Sequence, residues 1–250
     1  MELIHLPETD STNNHLRKLL EEQPQLPAYT IVDAYAQTAG RGQRGNSWES
    51  EPGQNISCSI LLRPKLPEGA TTFDLNILVS LALHDTLSQY IAPGYIQVKW
   101  PNDIMVNNRQ KIAGILIENE WIGSNLEYSI IGIGLNVRQT VFGDYHPTAT
   151  SLSLEGVSLS DDYPVWHHSI VKQIATSIKV REAQIDTQLH KLRREYHTRL
   201  LGLGEERAFV CPDGTPLLGT IRGVLPNGLL EVNTLQGIRQ FQFKDIRMAL

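Results

Sequence analysis

Between residues 96 and 137, four apolar runs are separated by nothing longer than a tight turn, and this spacing constrains the fold more than any other feature of the chain. The runs 96–100, 104–106, 111–121 and 126–137 are divided by Pro-Asn-Asp, Asn-Asn-Arg-Gln and Gly-Ser-Asn. A parallel crossover needs a dozen or more residues, so these runs are predicted to pair as antiparallel hairpins. Upstream, strands are expected at 3–6, 30–35 and 55–62, the last with Ile56, Cys58 and Ile60 on one face. Asp10, Ser11 and Thr12 supply a cap for a helix that Pro24 ends. A second helix over 72–90 carries Leu75, Leu78, Val79, Ala82 and Leu83 near the i, i+3, i+4 pattern. Residues 162–201 read as helical with one or two breaks. The fold class is therefore α+β, with a mixed, largely antiparallel sheet.

From Arg207 the texture changes. Short alternating strands at 208–210, 217–224, 229–232 and 238–243 are punctuated by Pro212-Asp213-Gly214, Pro226-Asn227-Gly228 and Gln236-Gly237. They predict a small β-barrel or sandwich, too small to build a sufficient core alone and so packed on the first unit. Gly202-Leu203-Gly204 marks the boundary, giving units 1–203 and 204–250.

At 250 residues, 41 % hydrophobic and 20 % charged, the chain has the composition of a soluble globular protein. No apolar run is long enough to span a membrane, and Met1-Glu2-Leu3-Ile4-His5 lacks the character of a signal peptide. The net charge of -5 argues against nucleic acid as the main partner. Cys58 and Cys211 are far apart and form no C-x-x-C, which fits reduced thiols in the cytoplasm. The eight histidines show no metal-ligand spacing; His167 and His168 are neighbours, and on a helix they point about 100° apart. They read as ordinary helix residues.

Against this acidic background, the stretch Gly40-Arg41-Gly42-Gln43-Arg44-Gly45-Asn46-Ser47-Trp48 places two arginines on a glycine hinge. Glycine lets backbone N–H groups approach a ligand, and the arginine fork matches carboxylate or phosphate. Gly40, Gly42 and Gly45 also satisfy G-x-G-x-x-G, but no helix opens after them, so the dinucleotide fingerprint is rejected. No Gly-Lys-Ser/Thr follows, which excludes a Walker A loop.

Three further segments join the loop. Lys99-Trp100-Pro101-Asn102-Asp103 ends a strand with a cation and presents an amide and a carboxylate on a turn. Lys111-Ile112-Ala113-Gly114 begins the next long strand with a lysine. Ile131-Gly132-Ile133-Gly134-Leu135-Asn136 is a strand thinned by two glycines, a pattern that marks close approach by a ligand. A meander can bring Arg41, Arg44, Lys99, Lys111, Asn102, Asp103 and Asn136 onto one face: several cations and one carboxylate suited to Mg²⁺.

These segments, with Asp10-Ser11-Thr12-Asn13 and Gln37-Thr38-Ala39 ahead of the loop, stand in the order and spacing of the biotin–protein ligases, which the chain closely resembles through its C-terminal unit. The resemblance implies a catalytic domain like that of class II synthetases and a C-terminal SH3-like barrel. It also implies the activity: biotin and ATP, with Mg²⁺, give biotinyl-5′-AMP, and biotin passes to a lysine of a biotin carboxyl carrier domain. Lys111 and Arg41 are then the catalytic candidates. Ser11, Thr12, Asn13, Gln37, Gly40, Arg41, Lys111 and Gly114 are assigned to biotin. Gln43, Arg44, Trp48, Lys99, Asn102, Asp103 and Asn136 are assigned to ATP, with Asp103 near the metal and Trp48 stacked on adenine. Position 43 is arginine in many of these enzymes and glutamine here, which implies a weaker hold on the adenylate. The catalytic pattern starts at the first residue, leaving no room for a DNA-recognition helix, so a ligase-only form is expected. It would act as a monomer or homodimer, with neither DNA nor membrane as partner. The competing readings are a lipoate or octanoate ligase or transferase, which lacks the arginine-glycine loop ending in tryptophan, and a non-catalytic biotin-binding sensor, expected to lack Lys111 or Asp103.

Overall fold

The computed structural model describes residues 1–249 and, at Arg44, the backbone alone. A seven-stranded sheet has the order β1-β2-β3-β7-β6-β5-β4. Its members are β1 (Leu3–Thr9), β2 (Ile31–Gln37), β3 (Asn55–Leu62), β4 (Ile96–Lys99), β5 (Asp103–Val106), β6 (Gln110–Ile122) and β7 (Asn125–Asn136). The four strands joined by tight turns pair antiparallel, as their spacing requires. Only β1 and β2 pair in parallel, and α1 (Thr12–Glu22) makes the crossover between them.

The sheet has helices on both faces. On one side α1 buries Leu16 and Leu20 against Val32, Leu61 and Ile130. On the other, α2 (Thr72–Leu87), α3 (Tyr163–Glu182) and α4 (Ile185–Arg199) share a core with Ile31, Ile56, Ile60 and Ile131. Because β3 is covered on both faces, all eight of its residues are buried rather than one alternating set.

A single buried stripe was expected on α2, yet thirteen of its sixteen residues are buried. α3 and α4 cover the face turned away from the sheet, so this is a core helix buried nearly all round. Its start is fixed by a capping box: Thr71 accepts from the Phe73 N–H, and Asp74 accepts from the Thr71 N–H. Arg193 of α4 closes on the Asp74 carboxylate at 2.8 Å.

The C-terminal strands form a separate five-stranded sheet, β8 (Glu206–Val210), β9 (Pro216–Val224), β10 (Leu230–Thr234), β11 (Gly237–Phe241) and β12 (Arg247–Met248), ordered β11-β10-β9-β8-β12. The expected barrel is not closed: β11 and β12 lie at opposite edges, and an isolated Phe243–Ile246 bridge lies in the segment that joins them. Phe209, Ile221, Leu230 and Val232 belong to the same core as α2 and α4, so the small sheet does pack on the larger unit. Trp100 Nε1 donates to the Gly228 carbonyl at 2.9 Å, joining the turn after β4 to a hairpin of the small sheet. Among the described residues no helix is long and apolar enough to cross a membrane.

Candidate functional site

A cavity of about 720 Å³ opens between the α1 side of the main sheet and the small sheet. That is room for a ligand of small-molecule size. Of the residues singled out in the sequence, Ser11, Thr12, Asn13, Gln37, Arg41, Gln43, Trp48, Lys99, Asn102, Asp103, Lys111, Gly114 and Asn136 all line it. Gly40 lies behind the wall, its carbonyl accepting from the Trp48 N–H at 2.9 Å; a Cβ there would stand 2.2 Å from the Trp48 carbonyl oxygen. The Arg44 side chain lies outside the described structure.

One end of the cavity is a recess of uncharged polar groups. No side-chain hydrogen bond caps α1 at Ser11. Instead the Thr12 N–H donates to Gln37 Oε1 at 2.8 Å, so the end of β2 satisfies the first turn of the helix. Asn13 is buried, accepting from Ser59 Oγ and donating to Glu118 Oε2 at 2.7 Å.

The glycines of β7 line the cavity and also make room for the chain's own side chains. A Cβ at Gly132 would lie 2.5 Å from Asn13 Oδ1, and one at Gly134 would lie 2.1 Å from Trp48 Cε2. Gly134 pairs with Gly114 of β6, so the Trp48 indole lies on a floor of two glycines. Its Nε1 is buried and has no hydrogen-bond partner among the described residues. In this conformation Trp48 covers the strand glycines.

The charged end is built by the turns of the meander. Lys111 Nζ lies 2.6 Å from Asp103 Oδ1, and Lys99 Nζ lies 3.5 Å from Asp103 Oδ2. Lys111 also stands 5.3 Å from the centroid of the Trp48 ring. The Lys111 backbone is held by the 148–150 segment, donating to Thr148 and accepting from Thr150. Asn102 and Asn136 are buried and each spends an amide hydrogen on the backbone, at Ile115 and Thr150. Both carry the shape of the wall as well as presenting polar atoms.

The donor set does not fit a resident divalent ion at Asp103. Each of its oxygens already meets an ammonium group, and among the described residues no cluster of three His, Cys, Asp or Glu groups includes it.

Arg41 is brought to the cavity but is held by an acid. It donates to Asn14 Oδ1 at 2.7 Å and to Glu118 Oε1 at 2.8 Å, and Arg17 meets Glu118 Oε2 at 3.1 Å. Burial pushes the Glu118 carboxyl up, but the Asn13 hydrogen bond and the two arginines outweigh it and hold the group below its ordinary range. Glu118 thus acts as an internal anion for Arg41, a role its position in a strand could not reveal. Motif reading also missed the far wall, where Phe209, Phe243, Lys244 and Arg247 of the small sheet face the cavity across a chain separation of more than 90 residues from Lys111.

With this geometry in place, comparison with known proteins settles the family. The sequence profile of the Biotin/lipoate A/B protein ligase family matches residues 6–136, just over half of the chain. The chain belongs to that family. It is 33% identical over 204 residues to the biotin–[acetyl-CoA-carboxylase] ligase of Paracoccus denitrificans, covering 80% of this chain and 81% of that relative. It is also 29% identical over 248 residues to the bifunctional ligase/repressor BirA of Bacillus spizizenii, covering 99% of this chain and 74% of the relative. The fold is similar to that of the biotin protein ligase from Aquifex aeolicus in complex with biotin and ATP, with a TM-score of 0.76 at 24% identity over 99% of this chain and 98% of that one. The family profile spans biotin and lipoate ligases alike, so the choice of acyl group rests on the site.

Proposed function

We propose that the chain is an ATP-dependent biotin–protein ligase that forms biotinyl-5′-AMP and passes biotin to a lysine of a biotin carboxyl carrier domain. The observation that carries this reading is the juxtaposition, in one cavity, of a recess of uncharged hydrogen-bonding groups and a pair of lysines. Ser11, Thr12, Asn13 and Gln37 supply donors and acceptors in the pattern a ureido ring requires. A lipoyl or octanoyl chain has no such groups and so no hydrogen bonds to exchange with the recess.

In the first step a carboxylate oxygen of biotin bonds to the α-phosphorus of ATP, and the bond to the bridging oxygen of pyrophosphate breaks. Both reactants are anions, so charge stabilisation dominates the barrier. Lys111, at the junction of recess and charged end, is assigned to the carboxylate and the α-phosphate together. Lys99, Asn102, Asp103, Asn136, Gln43, Arg44 and Trp48 are assigned to the nucleotide, and Gly40 and Gly114 to close backbone approach. In the second step a neutral lysine amine of the carrier adds to the acyl carbon, AMP leaves with the acyl–oxygen electron pair, and the amine loses a proton. No step is routed through a protein-bound metal; Mg²⁺ is assigned to the phosphates of the incoming nucleotide.

On this reading Arg41 exchanges Glu118 for the ligand carboxylate or phosphate, and Trp48 leaves the glycine floor. Residues 40–53 should therefore show stronger protection from hydrogen exchange with biotin plus ATP than without. Equal protection in both states would contradict the exchange of partners.

Gln43 lines the cavity from the 3₁₀ turn Gln43–Gly45. A charge-assisted bond to phosphate is roughly twice as strong as a neutral one. Gln43→Arg should accordingly slow dissociation of biotinyl-AMP by about tenfold, equivalent to ~1–2 kcal/mol. An unchanged or faster rate would show that position 43 does not reach the adenylate.

We assign 1–203 to catalysis and 204–250 to completing the far wall of the cavity. The net charge of -5 gives no reason to assign DNA a role, and the free thiols of Cys58 and Cys211 suit the reducing cytoplasm. Exchange of labelled pyrophosphate into ATP tests the assignment. Exchange should require biotin, and lipoate should not replace it; exchange with lipoate alone would overturn the choice of acyl group.

A further inference from the structure

A second cluster of ligating groups lies on the opposite face of the main sheet from the cavity. His5 of β1 and Asp33 of β2 are register partners on adjacent parallel strands. Asp33 is fully buried, and its carboxylate is clamped by His5 Nδ1 at 2.8 Å and by His167 Nε2 of α3 at 2.9 Å. His168, the next residue along α3, turns its ring to His5 with centroids 5.1 Å apart, edge to face. One ligand atom from each of His5, Asp33 and His168 falls within 4.8 Å of the others. Among the described residues His168 makes no side-chain hydrogen bond, so the carboxylate is held by His5 and His167 without it. Neighbours on a helix point apart, so the sequence excluded His167 and His168 as a ligand pair. That exclusion holds for the two together, but the strands supply His168 with different partners.

We propose that His5, Asp33 and His168 bind one borderline transition-metal ion of the Zn²⁺ class, separate from the catalytic cavity. Two imidazoles and a carboxylate form a donor set suited to Zn²⁺, and three protein ligands plus water complete four-coordination. The His5 side chain is 41 % exposed, which leaves a path for the ion and for that water. His167 donates to the other carboxylate oxygen and orients it as an outer-shell partner. Tetrahedral coordination brings ligand atoms to about 3.3 Å from one another, a closure that requires rotation of the His5 and His168 side chains. Because β1 is an edge strand and α3 lies over it, the ion ties that edge to the helical layer.

The test uses the full chain without a histidine tag, stripped with chelator and titrated with Zn²⁺ by calorimetry and with Co²⁺ by visible absorption. One ion per chain is expected, with the intense absorption of tetrahedral Co²⁺ and a rise in Tm on addition of Zn²⁺. His5→Ala and His168→Ala should each weaken binding at least tenfold, and His167→Gln should weaken it about ten- to a hundredfold. His190→Ala, on α4, should leave binding unchanged. Absence of stoichiometric binding by the unaltered chain, or binding that survives the loss of both His5 and His168 at full affinity, would overturn the proposal. The stoichiometry of the unaltered chain is decisive whether or not every variant folds.

Discussion

Lys111→Ala is expected to slow biotin-dependent adenylate formation about 10²–10³-fold, equivalent to ~3–4 kcal/mol. The lysine lines the cavity beside Gly114 and Trp48, and its ammonium group meets Asp103 at 2.6 Å. Without ligand, that contact neutralises Asp103; with two anions approaching, the lysine is the group placed to offset their repulsion. Its removal leaves Asp103 with Lys99 alone, at 3.5 Å, and so also brings an unbalanced negative charge toward the α-phosphate. Stability should change little, because the side chain is partly exposed at the start of a strand and adds little to the core. Lys111→Arg should restore less activity than charge alone would suggest, since the planar fork does not reproduce a compact ammonium ion. Single-turnover formation of biotinyl-AMP separates this effect from transfer. Adenylation within a few-fold of the parent rate would contradict the assignment.

Gly132→Ala should cost biotin affinity roughly tenfold to a hundredfold, the equivalent of the ~1–3 kcal/mol typical of an overpacked site. The added methyl would stand 2.5 Å from Asn13 Oδ1. Asn13 cannot retreat freely. Ser59 and Glu118 hold its amide, and the Thr12–Gln37 bond fixes the first turn of α1. The clash therefore falls on the recess, and through Glu118 on the position of Arg41. Calorimetric titration with biotin alone, beside a thermal melt, checks this. Unchanged affinity with an unchanged Tm would show that Asn13 does not shape the biotin end.

Much of the fold was legible because it rests on local rules. Turn residues too close together for a crossover set the antiparallel meander, and β3 was bounded correctly at Asn55–Leu62. What was not legible depends on partners distant in the chain. The all-round burial of α2 follows from the packing of α3 and α4, whose weak apolar patterning gives no hint of where they lie. The two residues of β12 carry too little pattern to be seen, and closure of the small barrel depends on geometry at its edges.

The cavity was more legible than the reasons for it. Charge, amide and turn position pointed to Arg41, Lys99, Lys111, Asn102, Asp103 and Asn136, and the family resemblance added seven more; all thirteen converge. Yet the β7 glycines accommodate Asn13 and Trp48, and Arg41 is held by Glu118, contacts that link residues 77 to 119 positions apart. Spacing along one strand does not reveal such pairings. The same limit hid the grouping of His5, Asp33 and His168, in which two strands and a helix each supply one ligand.

The central claim is that the cavity joins biotin to a protein lysine at the expense of ATP. The most direct measurement is intact-mass and peptide mass spectrometry of a biotin carboxyl carrier domain incubated with the chain, ATP, Mg²⁺ and biotin. The account predicts one added biotin on one carrier lysine, dependent on ATP and abolished when that lysine is replaced by Arg. A carrier that remains unmodified while lipoate is attached to its own acceptor domain under the same conditions would contradict it.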